Sequence, residues 1–334
     1  MNGRLMKKVL IIKMSALGDI IIALPHIESI CRYHEHDDIW IITGPGFDRF
    51  FIHHPRLKVV TLDRGSRFGE RSTLARILWV RRQQFDALYD LQGNRTSQLL
   101  VRFSGAKIRV GTQPERVYTH HPANYYSKDT LQNVFERLNE TIVSAGLPRA
   151  NPGCTIYTLP KDNDMVSVWK TEHGLTDGGY VVLHAGASKK WVSKRWPESY
   201  FAELALMIEK TGKRCLWIGG SEDREINRNI SNKVGIDATD VFTLPQLYLL
   251  GKTAAYAITN DSGPMHILAA AGIPVYSFFG PTNWVRSHAA GQGERVFTSE
   301  TPCSPCFKDQ CPPAQGHACL RQIKPEMVFS RIEG

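Results

Sequence analysis

Apolar residues along this chain come in two alternating patterns. Short runs of Val, Ile and Leu read as strands buried on both faces, and longer stretches with a helical period separate them. The run Lys7–Lys13 (KKVLIIK) predicts the first strand, and Asp19–His34 predicts a helix that carries Pro25 as an awkward member. Strands over Ile39–Thr43 and Leu57–Leu62 follow, with the turn Gly44-Pro45-Gly46 between them. A basic helix over about Thr73–Arg82 leads to a strand at Asp86–Leu91. The polar loop Gln92–Ser97, a short helix, a strand at Lys107–Gly111 and a helix near Thr130–Ala145 complete this half.

Gly146–Pro160 has three prolines and no helical period, which marks a linker. The alternation then restarts. Strands are predicted at Tyr180–Leu183, Arg214–Ile218, Tyr256–Thr259 and Pro274–Phe279. Helices are predicted at Pro197–Thr211, Asp223–Lys233 and Gly263–Ala271. Regular β–α alternation predicts an α/β fold of two doubly wound parallel sheets with right-handed crossovers. We expect domains at 1–160 and 161–334, with the tail packing back on the first. A ligand is expected in a cleft where the carboxyl ends of both sets of strands meet.

Charge is unevenly placed. The chain of 334 residues carries a formal +9, from 41 Lys+Arg and 32 Asp+Glu. Residues 1–159 hold 22 basic and 14 acidic residues, against 19 and 18 in the remainder. A basic half predicts an anionic partner. Arg64, Arg67, Arg71, Arg76, Arg81 and Arg82 form a run opposed only by Glu70, either a solvated face or a dock for anionic lipid headgroups. Basic–aromatic interleaving is missing, so no nucleic acid is expected. The longest uncharged stretch, Ser262–Val285, is broken by three prolines and does not read as a membrane span. The N-terminal apolar run is too short for a signal peptide. A cytoplasmic protein, soluble or peripherally attached, is the expectation.

Three segments can carry chemistry. Ser15-Ala16-Leu17-Gly18-Asp19 follows the first strand and puts a carboxylate at a helix start, where it serves as a cap or as a proton acceptor. Asn260-Asp261-Ser262-Gly263-Pro264-Met265-His266 follows a buried strand and opens a helix. Its amides and helix dipole suit phosphate, and Asp261 suits sugar hydroxyls. The loop from His184 to Pro197 holds Lys189, Lys190, Lys194 and Arg195, which suits a departing diphosphate. Asp162-Asn163-Asp164 reads as helix capping rather than a cation site. Cys303, Cys306, Cys311 and Cys319, with His317 nearby, have spacing compatible with structural zinc or iron. No Walker loop, GxGxxG, HExxH or GxSxG is present.

In this order the motifs resemble glycosyltransferase family 9, the bacterial lipopolysaccharide heptosyltransferases, over about Lys7–Ile323. The most specific matches are Lys13–Asp19 and Asn260–His266. Gly280-Pro281-Thr282 and the tail Cys303-Ser304-Pro305-Cys306-Phe307-Lys308 through Cys311-Pro312 also match. The resemblance implies a GT-B fold and inverting transfer that needs no cofactor or metal. It implies ADP-L-glycero-D-manno-heptose as donor, and Kdo or heptose of the phosphorylated inner core as acceptor, at the cytoplasmic face of the inner membrane. It makes Asp19 the general base, with Ser15 and Gly18 in the acceptor loop. It assigns Lys194 to donor phosphate, and Asp261, Ser262, Gly263 and His266 to the donor site. A sugar-nucleotide epimerase of the same architecture and a non-catalytic nucleotide- or lipid-binding protein are the alternatives.

Overall fold

A computed structural model describes residues 6–63, 72–127 and 130–333. It divides into two units, residues 1–157 and 158–334. In the first unit, β1 (Lys8–Ile12), α1 (Leu17–Tyr33), β2 (Asp38–Thr43), β3 (Leu57–Thr61), α2 (Thr73–Gln83) and β4 (Ala87–Asp90) are followed by α3 (Arg95–Ser104), β5 (Ile108–Gly111) and α4 (Val134–Val143). The sheet order is β3-β2-β1-β4-β5, parallel throughout. With strands buried on both sides, successive side chains serve opposite cores. Leu10 and Ile12 join Ile42, Leu88, Val80 and Leu100 in one cluster, and Val9 and Ile11 point the other way. Helices α2 and α3 pack together on the first of these faces. Helices α1 and α4 pack together as a second pair, which right-handed crossovers place on the opposite face.

The second unit continues with α5 (Pro160–Glu172), β6 (Tyr180–His184), α6 (Glu198–Glu209), β7 (Arg214–Gly219), α7 (Arg224–Ser231), β8 (Ile236–Thr239), α8 (Leu244–Gly251), β9 (Tyr256–Asn260) and α9 (Gly263–Ala270). It ends with β10 (Val275–Phe278), α10 (Trp284–Ser287), β11 (Val296–Phe297), α11 (Ala318–Arg321) and α12 (Pro325–Glu333). The parallel sheet runs β11-β10-β9-β6-β7-β8. Its core is aromatic: Trp196 stacks on Phe278 at 4.2 Å between ring centroids, and Phe201 and Trp217 meet edge-on. Helix α12 packs on α6, and Trp196 Nε1–H donates to the Ile323 carbonyl at 3.0 Å.

The strands agree with the sequence reading to within a residue or two. Three elements differ in ways that matter. Helix α1 starts at Leu17, so Asp19 lies inside its first turn rather than opening it. Elements β8 and α8 were not expected, because IDAT is too short and too polar to stand out as a strand. The arginines at 64, 67 and 71, with Glu70, lie outside the described residues. Among the described residues no helix is long and apolar enough to cross a membrane.

Candidate functional site

In the first unit the chain leaves β1 through Lys13 and turns at Met14–Ala16 into α1. The loop is fixed from the neighbouring strand: the Gln92 side-chain oxygen accepts from the Met14 N–H (2.7 Å) and the Ser15 N–H (3.0 Å). Gly44 closes the other side, where a Cβ would stand 2.5 Å from the Met14 carbonyl. The Asp19 carboxylate accepts the Ala16 N–H through Oδ2 at 3.2 Å, satisfying a helix-start donor. Gly18 and Asp19 are partly exposed beside Ser15. The structure therefore brings Ser15, Gly18 and Asp19 together at one loop, and Asp19 has a capping role that leaves its second oxygen available.

Two buried titratable side chains underlie this loop, and neither has a role that the sequence alone suggests. Lys13 Nζ donates to the Leu91 carbonyl at 3.0 Å. Its pKa is lowered by burial, against the pull of Asp19 and Asp90. Asp90 accepts from the Gln92 and Gly93 N–H groups, both at 2.9 Å, and from the Tyr118 hydroxyl at 2.7 Å. Burial raises its pKa against those hydrogen bonds. Through these hydrogen bonds the buried Lys13 and Asp90 pin the carboxyl ends of β1 and β4 beneath the loop.

In the second unit the site is built around Asn260, the last residue of β9. Its Nδ2 donates to the Ala185 carbonyl (2.8 Å) and the Gly186 carbonyl (3.0 Å), and its Oδ1 accepts the Trp196 N–H (2.9 Å). One buried amide thus ties both ends of the cationic loop to the strand that opens α9. Within that loop Lys194 sits on a single 3-10 turn, Val192–Lys194. Its Nζ lies 2.7 Å from Asp261 Oδ2 and 4.9 Å from the Trp191 ring centre. The Thr282 hydroxyl donates to the same Asp261 oxygen at 2.7 Å.

Ser262 is the N-cap of α9, yet its side chain caps nothing; its Oγ meets His184 Nδ1 at 3.0 Å. His184 Nε2 lies 3.4 Å from Asp223 Oδ2. Burial raises the Asp223 pKa, but His184, the Gly220 N–H and Arg195 outweigh it and hold the carboxyl below its ordinary range. Gly186 makes room for this pair: a Cβ there would stand 1.9 Å from Asp223 Oδ1. Lys194, Asp261, Ser262 and Gly263 therefore converge on one helix start, with His266 buried one turn further along α9. Thr282, His184, Asp223 and Asn260 complete the arrangement.

The cysteine-rich segment contributes in another way. Ser193 N–H donates to the Asp309 carbonyl (3.1 Å), its hydroxyl donates to the Lys308 carbonyl (2.6 Å), and His317 Nε2 donates to the Ser193 carbonyl (2.6 Å). The same segment reaches the 280–282 loop, through Phe307 N–H to the Pro281 carbonyl (2.8 Å) and Ser304 Oγ to the Gly280 carbonyl (2.6 Å). It is a brace under Lys194 and Thr282. The expected zinc or iron finds no support. Cys303, Cys306, Cys311 and Cys319 line one cavity of about 60 Å³. Yet among the described residues no three His, Cys, Asp or Glu side chains are grouped to hold an ion. Burial and the other three thiols push the Cys319 thiol up to about 11. Asp162 accepts the Leu159 N–H at 3.0 Å, in agreement with the capping reading.

The family model of glycosyltransferase family 9 (heptosyltransferase) matches residues 74–317. Lipopolysaccharide heptosyltransferase 1 of Pseudomonas aeruginosa is 27% identical, over 97% of this chain and 94% of its own length. Lipooligosaccharide heptosyltransferase 2 of Campylobacter jejuni is 30% identical, over 95% of each chain. The solved Escherichia coli ADP-heptose lipopolysaccharide heptosyltransferase II shares the fold over 97% of both chains, with a TM-score of 0.73 at 19% identity. The two parallel-sheet α/β units are thus those of the expected GT-B fold.

Proposed function

Because the chain belongs to glycosyltransferase family 9, and is therefore an enzyme rather than a passive binding protein, we propose that it transfers heptose from ADP-heptose to the inner core of lipopolysaccharide, with inversion. The observation that carries this reading is the convergence of Lys194, Asp261, Thr282 and Ser262 on the start of α9. An ammonium has three donors. Asp261 takes one and holds the side chain in place, and the others are directed at donor phosphate beside the helix amides. The Asp261 carboxylate and the Thr282 hydroxyl oxygen, whose proton is held by Asp261, offer acceptors to sugar hydroxyls.

The reaction is a single displacement. The acceptor hydroxyl oxygen bonds to the anomeric carbon as the bond from that carbon to the phosphate oxygen breaks. The electron pair leaves with ADP, where Lys194 and the α9 dipole stabilise the charge. The hydroxyl proton goes to the Asp19 oxygen that does not cap α1. No step calls for a divalent ion. The acceptor is read as the phosphorylated core, Kdo or heptose, met at the cytoplasmic face of the inner membrane; Ser15 and Gly18 line its approach. The test is incubation with ADP-heptose and truncated lipopolysaccharide acceptors, read by mass spectrometry. A mass gain of one heptose on the acceptor supports the reading. An altered sugar nucleotide with unchanged acceptor would favour the epimerase alternative.

A further inference from the structure

Helices α2 and α3 lie side by side on one face of the first sheet, and their outward sides are unusual. Their inward residues, Val80 on α2 and Leu100 and Val101 on α3, are fully buried. On α2 the exposed positions are Leu74, Leu78, Arg81 and Arg82, and on α3 they are Arg95, Leu99, Arg102 and Phe103. Both sets follow the spacing i, i+4, i+7, i+8, so each helix presents one outward stripe. The apolar members are well exposed: Leu74 65%, Leu78 50%, Leu99 37% and Phe103 49%. Neither helix contains an acidic residue. The stripes are neighbours, because the Arg81 guanidinium lies over Gly105 at the end of α3, where a Cβ would meet it.

A solvated surface helix ordinarily mixes charges of both signs and hides its Leu and Phe. Here four large apolar side chains and four arginines share one face with no carboxylate on the same helices. We propose that the α2/α3 face docks the enzyme on an anionic lipid bilayer. Leu74, Leu78, Leu99 and Phe103 enter the headgroup–acyl boundary, and Arg81, Arg82, Arg95 and Arg102 pair with lipid phosphates. A bilayer fits better than a soluble polyanion, because phosphate alone gives Leu and Phe nothing to bury against. The inference deepens the proposed meeting with a membrane-borne acceptor, but its test does not depend on which sugar is transferred.

The test is co-sedimentation of the full chain with vesicles of phosphatidylethanolamine plus phosphatidylglycerol, and with vesicles of phosphatidylcholine alone. Binding to the anionic vesicles only, falling as salt is raised, is expected. The Arg82→Gln/Arg102→Gln variant should lose roughly tenfold or more in vesicle affinity. Leu78→Ser/Phe103→Ser should lose a comparable amount. ADP affinity and melting temperature should stay at wild-type values in both, which separates docking from misfolding. Failure to bind anionic vesicles, or variants that bind as well as wild type, would overturn the proposal. So would a result in which only the arginine pair matters and heparin competes fully, since that describes a soluble polyanion. Absence of heptose transfer with vesicle binding intact would refute the proposed reaction and leave the docking face standing.

Discussion

At the scale of single residues, the roles proposed for Asp19 and Lys194 come from the family resemblance, and the partners the structure gives each side chain make the tests sharp. Asp19→Asn keeps an oxygen for the Ala16 N–H, so the fold and ADP affinity should persist while transfer falls by about 10²–10⁴. Both are to be measured on one preparation, and near-normal transfer would reduce Asp19 to a cap. Lys194→Ala should abolish the rise in melting temperature that ADP gives the wild type; an undiminished rise would remove Lys194 from the phosphate site. His26 is legible only in the structure. It is fully buried in α1, donates from Nδ1 to the Ile22 carbonyl at 3.2 Å and packs on Phe135. Burial lowers its pKa to about 4 from 6.5, outweighing the hydrogen bonds that favour its charged form. Between those values the unfolded chain takes up a proton that the folded chain refuses. The stability from neutral His26 is therefore complete above about pH 6.5 and is lost as pH falls toward 4, by up to about 3 kcal/mol. Urea denaturation from pH 7 to 4.5 should show a shallower loss in His26→Leu than in wild type.

At the scale of elements, most strands were legible and the bonds that make them a site were not. Runs such as KVLII and YVVLH announce buried parallel strands, and Ser262-Gly263-Pro264 announces a helix start. Asn260, by contrast, looks in sequence like one more polar residue at a strand end. Its partners lie 64 to 75 residues away, across a strand order that sequence periodicity does not specify. The pairing of His184 with Ser262 and Asp223 is hidden for the same reason, although Gly186 was a clue, being the one residue type that leaves Asp223 room. The cysteine spacing suits a metal that the structure does not support, and what their segment does for the fold, through backbone and His317 contacts to the Lys194 turn, is visible only in the structure. Removing the Asn260 amide strands two carbonyls and one N–H in a dry site, at about 1–3 kcal/mol each before relaxation. Asn260→Ala should therefore destabilise the protein by about 2–4 kcal/mol in urea and weaken ADP binding. Asn260→Asp should be worse, since it turns a carboxylate toward two carbonyl oxygens. Equal stability in wild type and Asn260→Ala would mean that the loop is held by other contacts.

For the whole molecule, the uneven charge separates two modes of recognition that one enzyme can combine. Residues 1–159 carry 22 basic and 14 acidic residues, and residues 160–334 are nearly balanced at 19 and 18. Donor recognition is proposed to rest on short contacts: a lysine already fixed by Asp261 at 2.7 Å, a threonine and helix amides. Such contacts act at about 3 Å, well inside a Debye length, and are weakly screened. A polyphosphorylated acceptor would instead be drawn by the summed field of many exposed arginines, spread over distances comparable with the Debye length of about 8–10 Å at physiological salt. Raising salt through that range should therefore raise the KM for acceptor several-fold and leave the KM for ADP-heptose nearly unchanged. The acceptor should be a truncated core without its lipid, so that loss of bilayer docking does not contribute. The same assay with EDTA should retain full turnover, because the proposed charge stabilisation comes from Lys194 and the α9 dipole. Loss of activity restored by magnesium would overturn that assignment. Equal salt sensitivity of both KM values would place a long-range field at the donor site as well, and the basic half would then have no special claim on the acceptor.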